Sequence, residues 1–441
     1  MRLTVKTLQP VPSPQSNSFL KQRCIISRMM TEAYKPTNKK LHLSNDTGQA
    51  ALHLEKMINL EDHNSKRFIM RMKSSKLGKR WKEYHGMSNW EGLLDPLDEN
   101  LRAEILRYGN FVETAYKSFE FDPSSPNYGN SRFPKKTVLE RCGLPNTGYK
   151  VTKYVRATSG IALPRWVEKA PTWVAKQSSY VGYVAVCHNK EVMKRLGRRD
   201  VVVAYRGTTT CLEWLENIRA SLTDLPIPCS NFEKNGCGAM VERGFLSLYT
   251  SSLPAKTSSL QEMVRREISR ILQTYRGEQL SLTVTGHSLG AALATLTAYD
   301  VQTAFPSLPV TVISFGGPRV GDRTFRRHLE RQGTKVLRIV NSDDLITKVP
   351  GFVFDDDLPT TGAAGLHDPL FPSWIQKRVE EAQWVYAEVG KELRLCSRDS
   401  PYLGNTNVAT CHELNTYMHL VDGFVSSTCP FRASAKRFLR Q

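Results

Sequence analysis

Leu280-Ser281-Leu282-Thr283-Val284-Thr285-Gly286-His287-Ser288-Leu289-Gly290-Ala291-Ala292-Leu293-Ala294 joins two kinds of secondary structure through a very short corner. Its first part is apolar and rich in β-branched residues, the composition of a buried strand. Its last part is Ala and Leu, strong helix formers. Between them lies a Gly-x-Ser-x-Gly pentapeptide, and a strand–turn–helix with that corner is a nucleophile elbow. Ser288 would sit at the tip on strained backbone. Gly286 and Gly290 must be tiny, because larger residues two before and two after would clash. The helix that follows points its free N–H groups at the place where an oxyanion would form.

Outward from this corner, strands alternate with helices. Asp200–Thr208 is an unbroken apolar strand ending in a glycine turn, which suits a sheet buried on both faces. Val310–Phe315 and Lys335–Val340 read as further strands, Met263–Tyr275 and Phe325–Leu329 as helices, and Tyr149–Ala157 and Tyr180–Cys187 as strands nearer the N-terminus. Gly92-Leu93-Leu94-Asp95-Pro96-Leu97 reads as a helix start, with Asp95 as N-cap and Pro96 at the first helical position. Leu101, Ile105, Tyr108, Val112, Ala115 and Phe119 then recur every three or four residues and predict one buried face. Residues 351–375 form a Gly/Pro/Asp-rich insertion, strand-like runs flank Gly390, and His412–Val425 closes as a helix. The pattern predicts an α/β fold of the α/β-hydrolase type: a mostly parallel central sheet flanked by helices.

At 441 residues the chain has room for one large α/β domain and extensions. Its net charge is +19, of which residues 1–40 carry +7, with Glu32 their one acidic residue. Residues 1–31 hold five Lys/Arg, three Pro and no Asp or Glu. That is the composition of an organellar transit peptide, against a disordered tail as the plainer reading. The chain divides into 1–45 (transit peptide or disordered), a basic linker at 46–80, a catalytic domain at 81–430, and a basic tail at 431–441. The basic remainder fits an anionic lipid surface, since no nucleic-acid-binding motif occurs. No run of eighteen apolar residues predicts a membrane span. The nine cysteines follow no metal spacing and are expected to be mostly reduced, with Cys229 and Cys237 flanking a Gly-rich loop.

A serine hydroxyl is a weak nucleophile unless a histidine takes its proton and a carboxylate orients that histidine. In this fold class the chain order is Ser, acid, His. Only His367, His412 and His419 follow Ser288 by enough chain. Arg338-Ile339-Val340-Asn341-Ser342-Asp343-Asp344 puts two acids where a strand stops, whereas Asp355, Asp356 and Asp357 read as solvated charges in the insertion. His287 reads as packing beside the elbow.

Several blocks resemble the class 3 lipases, and in particular the plant plastidial class I phospholipase A1 family. They are Trp90–Leu97, Leu196–Asp200, Tyr205-Arg206-Gly207-Thr208, Gly244–Tyr249, Gly286–Gly290 and Gly316–Gly321, and the resemblance spans roughly residues 81–428. It implies that Asp344, in Asp344-Leu345-Ile346-Thr347-Lys348-Val349-Pro350, is the catalytic acid rather than Asp343. It implies that His412, in Cys411-His412-Glu413-Leu414-Asn415-Thr416-Tyr417-Met418-His419, is the base and enters the last helix. His419, two turns along the same face, is second choice, and His367 third. The Leu289 N–H and Thr208 then form the oxyanion hole. Residues 211–240 become the lid, with Leu212, Trp214, Leu215 and Ile218 as an apolar face that covers the cleft and swings out onto lipid.

The resemblance implies a serine acylhydrolase that cleaves the sn-1 acyl ester of glycerolipids, phosphatidylcholine or galactolipids, to free fatty acid and lyso-lipid. It implies work in the plastid stroma, peripheral to a thylakoid or plastoglobule surface. No metal or organic cofactor is required. A triacylglycerol lipase of plastid lipid bodies is the enzymatic alternative. A catalytically idle lipase-like binding or signalling module is disfavoured, because all three triad members are present.

Overall fold

β-branched runs become the strands of a seven-stranded sheet. The computed structural model describes residues 77–122, 124–158, 178–207, 221–226, 238–252, 258–348, 385–403 and 408–430, all within the unit Ser65–Gln441. The strands are Tyr149–Thr158 (β1), Ser178–Cys187 (β2), Arg199–Tyr205 (β3), Leu222–Asp224 (β4), Met240–Glu242 (β5), Leu280–His287 (β6), Val310–Phe315 (β7), Lys335–Asn341 (β8) and Lys391–Leu395 (β9). The helices that matter for the site are Glu99–Lys117 (α1), Arg243–Thr250 (α2), Leu260–Thr274 (α3), Leu289–Ala304 (α4), Arg323–Arg331 (α5), Val408–His412 (α6) and Leu414–Gly423 (α7).

The sheet order is β1-β2-β3-β6-β7-β8-β9, with β4 and β5 as a separate pair. β1 and β2 run antiparallel to their neighbours, and β3, β6, β7, β8 and β9 are parallel. The sheet is mostly parallel, as the sequence predicts. Every new strand is added on the same side. Crossovers of one hand that always advance in one direction put their helices on one face. Accordingly α2, α3, α4 and α5 share one core with Val201, Val203, Leu282, Val284 and Val312. The opposite face has to be covered by the two ends of the domain. There α1 and α7 pack with Val202, Ala204, Ile313, Phe315, Leu337 and Ile339.

The predicted buried face is buried at all six positions, five of them in α1 and Phe119 just past its end. Its cap differs from expectation. Asp98 accepts from the Asn100 and Leu101 N–H groups at 2.8 and 3.1 Å. Asp95 is instead taken by the C-terminal turn, where it accepts from the Ser427 N–H at 3.0 Å and from the Ser427 hydroxyl. The first residues ahead of the periodic face are the ones that can cap it, and Asp98 is nearer. At the edge of the sheet where β3 and β6 begin, Arg107 of α1 pairs with Asp200 at 3.0 Å and with Glu104 at 2.6 Å. Tyr149 donates to Asp200 at 2.7 Å. This buried network fixes α1 on the sheet, because removing one member strands the others without water.

The expectations for residues 1–45 and 46–76, Cys229 and Cys237, the insertion at 351–375 with His367, and the tail at 431–441 lie outside the described residues. Cys142, Cys187, Cys396, Cys411 and Cys429 carry no disulfide. No helix among the described residues is long and apolar enough to cross a membrane.

Glu242 ends β5 and caps α2, accepting from the Phe245 N–H at 2.7 Å. Its other oxygen is buried without a hydrogen-bond partner, and burial pushes the carboxyl up to about 7. Folding therefore takes up a proton between the ordinary value of 4.5 and about 7, so stability falls as pH rises through that window. Glu242→Gln keeps an acceptor and removes the charge. Its unfolding free energy in urea should exceed that of the unsubstituted chain at pH 8 by on the order of 1–3 kcal/mol, with a flatter profile between pH 4.5 and 7. Parallel pH profiles would refute the assignment.

Candidate active site

The corner between β6 and α4 is as tight as the sequence requires. Ser288 has φ +57° and ψ −127°, a left-handed conformation at a non-glycine residue. A Cβ on Gly286 would lie 2.2 Å from the Gly290 carbonyl oxygen, and one on Gly290 would lie 2.7 Å from the Tyr205 carbonyl oxygen. The two glycines therefore let the helix close onto its own strand and onto the end of β3. The Ser288 N–H donates to the Phe315 carbonyl at 3.0 Å, tying the corner to β7. Ser288 stands at the N-cap of α4, yet its side chain makes no capping bond to that helix. Leu289 is the first helical residue, and its N–H has no acceptor within the helix.

Asp344 follows β8, fully buried. One of its oxygens accepts from the Ile346 N–H at 2.9 Å. The other meets His412 Nδ1 at 2.7 Å and accepts from the Tyr417 hydroxyl at 2.5 Å. Asp343 faces away: it accepts from the Ser397 N–H at 3.1 Å and pairs with Arg398 at 2.8 Å. His419 lies elsewhere, with Nε2 2.9 Å from Ser400 Oγ and its ring edge-on to Tyr402. Of the acids and bases that the sequence offers among the described residues, the structure brings together Asp344 and His412.

The closing segment is two helices, not the one predicted over His412–Val425. His412 ends α6, and Glu413, with φ −65° and ψ 139°, is extended backbone before α7. The physical reason is in the carbonyls. Those of Cys411 and His412 accept from side chains, Asn341 Nδ2 at 2.9 Å and His287 Nε2 at 2.7 Å. Helix geometry gives way where these acceptors are pulled toward the sheet.

His287 is more than packing. Besides the His412 carbonyl it meets the Tyr116 hydroxyl through Nδ1 at 2.8 Å. The rings of His287 and His412 are 4.8 Å apart, which sets the imidazole of His412 beside the residue that precedes Ser288. Burial first, and the neighbouring His412 second, hold the His287 pKa well below its ordinary value. Gly207 is on the other side of the corner. A Cβ there would come within 3.0 Å of Ser288 Cβ and 2.4 Å of the Tyr116 hydroxyl. The Gly207 N–H donates to that hydroxyl at 2.8 Å, and its carbonyl accepts from Arg206 at 2.7 Å. The guanidinium of Arg206 lies 3.6 Å over the Phe119 ring, and burial lowers it to about 10.

Thr208, Leu212, Trp214, Leu215 and Ile218 lie outside the described residues. Sequence reasoning missed Asn341, Tyr417, Tyr116 and the polar role of His287. Two of these had a visible signal: Asn341 stands where a strand runs out just before the acids, and Tyr417 lies within the resembling block that holds His412. Tyr116 lies far away in sequence and has none. No group of three or more His, Cys, Asp or Glu among the described residues is placed to hold a metal ion.

Residues 202–354 match the family described as Lipase (class 3). Phospholipase A(1) DAD1, chloroplastic, of Arabidopsis thaliana is 66% identical over 373 residues, covering 83% of this chain and 81% of that protein. Phospholipase A1-Igamma1, chloroplastic, of the same plant is 37% identical over 369 residues, covering 80% and 68%. Galactolipase DONGLE, chloroplastic, also of Arabidopsis thaliana, is 38% identical over 360 residues, covering 78% and 70%. An elbow serine, a buried acid–histidine pair and relatives at this level over most of both chains place the protein: it belongs to the class 3 lipase family, with the plant phospholipases A1.

Proposed function

We propose that the chain is a phospholipase A1 that hydrolyses the sn-1 acyl ester of glycerolipids by a serine nucleophile. The observation that carries this reading is the buried Asp344–His412 pair at 2.7 Å beside the strained corner that presents Ser288. Ser288 attacks the acyl carbonyl while His412 takes its proton. With Nδ1 held by Asp344, Nε2 is the nitrogen that exchanges protons. Asp344 stabilises the imidazolium that forms, and Tyr417 holds the same carboxylate oxygen in place. The Leu289 N–H and Thr208 bind the oxyanion. Since the Gly207 N–H is already given to Tyr116, the next N–H in the loop, that of Thr208, is the natural second donor. His412 then protonates the leaving glyceride oxygen, and water releases the fatty acid through the same base.

The relatives named as phospholipases A1 support a phospholipid substrate, for which phosphatidylcholine is the first candidate, and the one named as a galactolipase makes galactolipid the second reading. Their chloroplastic names, with the acid-free basic N-terminus, support a plastid location with residues 1–45 as transit peptide. The net charge of +19 favours work at an anionic lipid surface, with Leu212, Trp214, Leu215 and Ile218 as the lid face that meets it. Hydrolysis of phosphatidylcholine, galactolipid and triacylglycerol vesicles side by side, with free fatty acid and lyso-lipid identified, tests the substrate class. Triacylglycerol as the preferred substrate would overturn the phospholipase assignment.

Ser288→Ala should lose at least about a thousandfold in turnover while the fold stays intact. Asp344→Asn should lose about a hundredfold or more, whereas Asp343→Asn, which faces Arg398, should keep most activity. His412→Ala should resemble Ser288→Ala, and His419→Ala should mainly lower the melting temperature. A reversed order within either pair would move the acid or the base to the other residue.

Trp214→Ser should abolish the jump in rate as substrate passes from monomers to aggregates, and leave hydrolysis of a short soluble ester nearly unchanged. Equal losses on both substrates would make Trp214 a core residue.

A further inference from the structure

Four separate pieces of chain are linked through His287 and Tyr116: Gly207 just past β3, the last turn of α1, the end of β6 and the end of α6. The direction of every hydrogen bond between them follows from chemistry. The His412 carbonyl can only accept, so His287 Nε2 carries a proton and donates to it. Burial keeps the ring neutral, so Nδ1 is bare and accepts from the Tyr116 hydroxyl. That hydroxyl has given its proton to His287 and accepts from the Gly207 N–H. One directed chain runs from Gly207 through Tyr116 and His287 to the backbone of His412. At one end Gly207 packs against Ser288 and leads into Thr208. At the other end stands the base whose Nδ1 is held by Asp344. The groups that face His287 are Tyr116 from α1, His412 from α6, and the Tyr417 ring of α7, 6.0 Å away.

We propose that His287 and Tyr116 are positioning residues for acyl transfer, a directed hydrogen-bond chain that fixes the base at His412 and the turn at Gly207 against the same serine. The inference rests on the acyl-transfer reading above. Its consequence is that proton transfer and oxyanion binding share one mechanical reference. A loose His287 shifts the histidine and the Gly207 loop together, and a misplacement of about 1 Å in such a constellation costs about a hundredfold in rate. A charged His287 works against the arrangement, because its second proton would force the Tyr116 hydroxyl to turn from donor to acceptor and its charge would stand beside the imidazolium that forms on His412.

The experiment compares Tyr116→Phe, His287→Gln, His287→Leu and the double variant Tyr116→Phe/His287→Leu. The readouts are kcat and KM on a short soluble p-nitrophenyl ester, the rate of fluorophosphonate labelling, and a circular-dichroism melt. Phe keeps the shape of Tyr116 and deletes its hydroxyl. Gln offers both a donor for the His412 carbonyl and an acceptor for Tyr116, and Leu offers neither. Tyr116→Phe should lower kcat and labelling rate about 10- to 100-fold with little change in KM. His287→Gln should retain clearly more kcat than His287→Leu. The double variant should lose no more than His287→Leu alone, because a chain already broken is not broken twice. Unchanged kcat in folded Tyr116→Phe, Gln no better than Leu, or additive losses in the double variant would overturn the proposal. If His287→Leu does not fold, Tyr116→Phe against His287→Gln carries the same decision, since only the former breaks the chain. A wild-type chain that neither hydrolyses the ester nor takes the label would instead overturn the acyl-transfer reading.

Discussion

The backbone of Ser288 is the constraint on which the rest depends. A φ of +57° at a residue with a Cβ costs on the order of 1–3 kcal/mol and persists only where the surroundings over-determine it. Here they do so from three sides. Gly286 and Gly290 interlock so closely that neither tolerates a methyl group, the Ser288 N–H is held by Phe315 of β7, and the end of β3 lies against Gly290. Each contact comes from a different strand of the parallel block, so the corner exists only once β3, β6 and β7 are in register. The central sheet is thus what makes the conformation of Ser288 geometrically possible, and the helices serve to bury that sheet.

Which features the sequence announces follows from the range of the interactions behind them. The elbow is local: strand, turn and helix lie within fifteen residues, and steric rules alone place the glycines. The parallel strands are legible because a sheet covered on both faces demands unbroken apolar or β-branched runs such as Val201–Ala204 and Val310–Ile313. Local reasoning misplaces the cap of α1, because an Asp-Pro pair looks like a helix start. Asp95 is in fact engaged by Ser427, more than three hundred residues away. The break at Glu413 was invisible for the same reason, since it arises from Asn341 and His287 drawing carbonyls out of a helix that local propensity would continue.

The candidate site shows the same division. Ser288 could be chosen from its pentapeptide, and Asp344 from a strand end aided by family resemblance. Between His412 and His419 the residues themselves are neutral, since both lie in one predicted helix, two turns apart on the same face. The difference is tertiary. Asp344 is reached by the histidine at the end of α6, while the one within α7 bonds Ser400. Hydroxyls that act across the fold, those of Tyr116 and Tyr417, carry no local mark. A tyrosine on a helix face reads as core until its partner is known, and both of these have rings in or against the core that covers that face of the sheet.

Those two tyrosines expose a further logic in the topology. The described crossover helices lie on one face, so the other is left to α1 from the N-terminal side and α7 from the C-terminal side. Arg102 of α1 donates to the Val421 carbonyl of α7, and the two helices lie together across the strands. Each then sends one tyrosine hydroxyl up to the carboxyl edge of the sheet. Tyr116 meets Gly207 and His287, and Tyr417 meets Asp344. The segment that matches the class 3 lipase family, residues 202–354, holds Ser288 and Asp344 but neither tyrosine and not His412. The flanks therefore cannot be dispensable wrapping. They bring His412, the hydroxyl that bonds Asp344, and the hydroxyl that meets Gly207 beside Ser288. A truncation that kept the whole matched segment would keep Ser288 and Asp344 but lose His412 and both tyrosine hydroxyls.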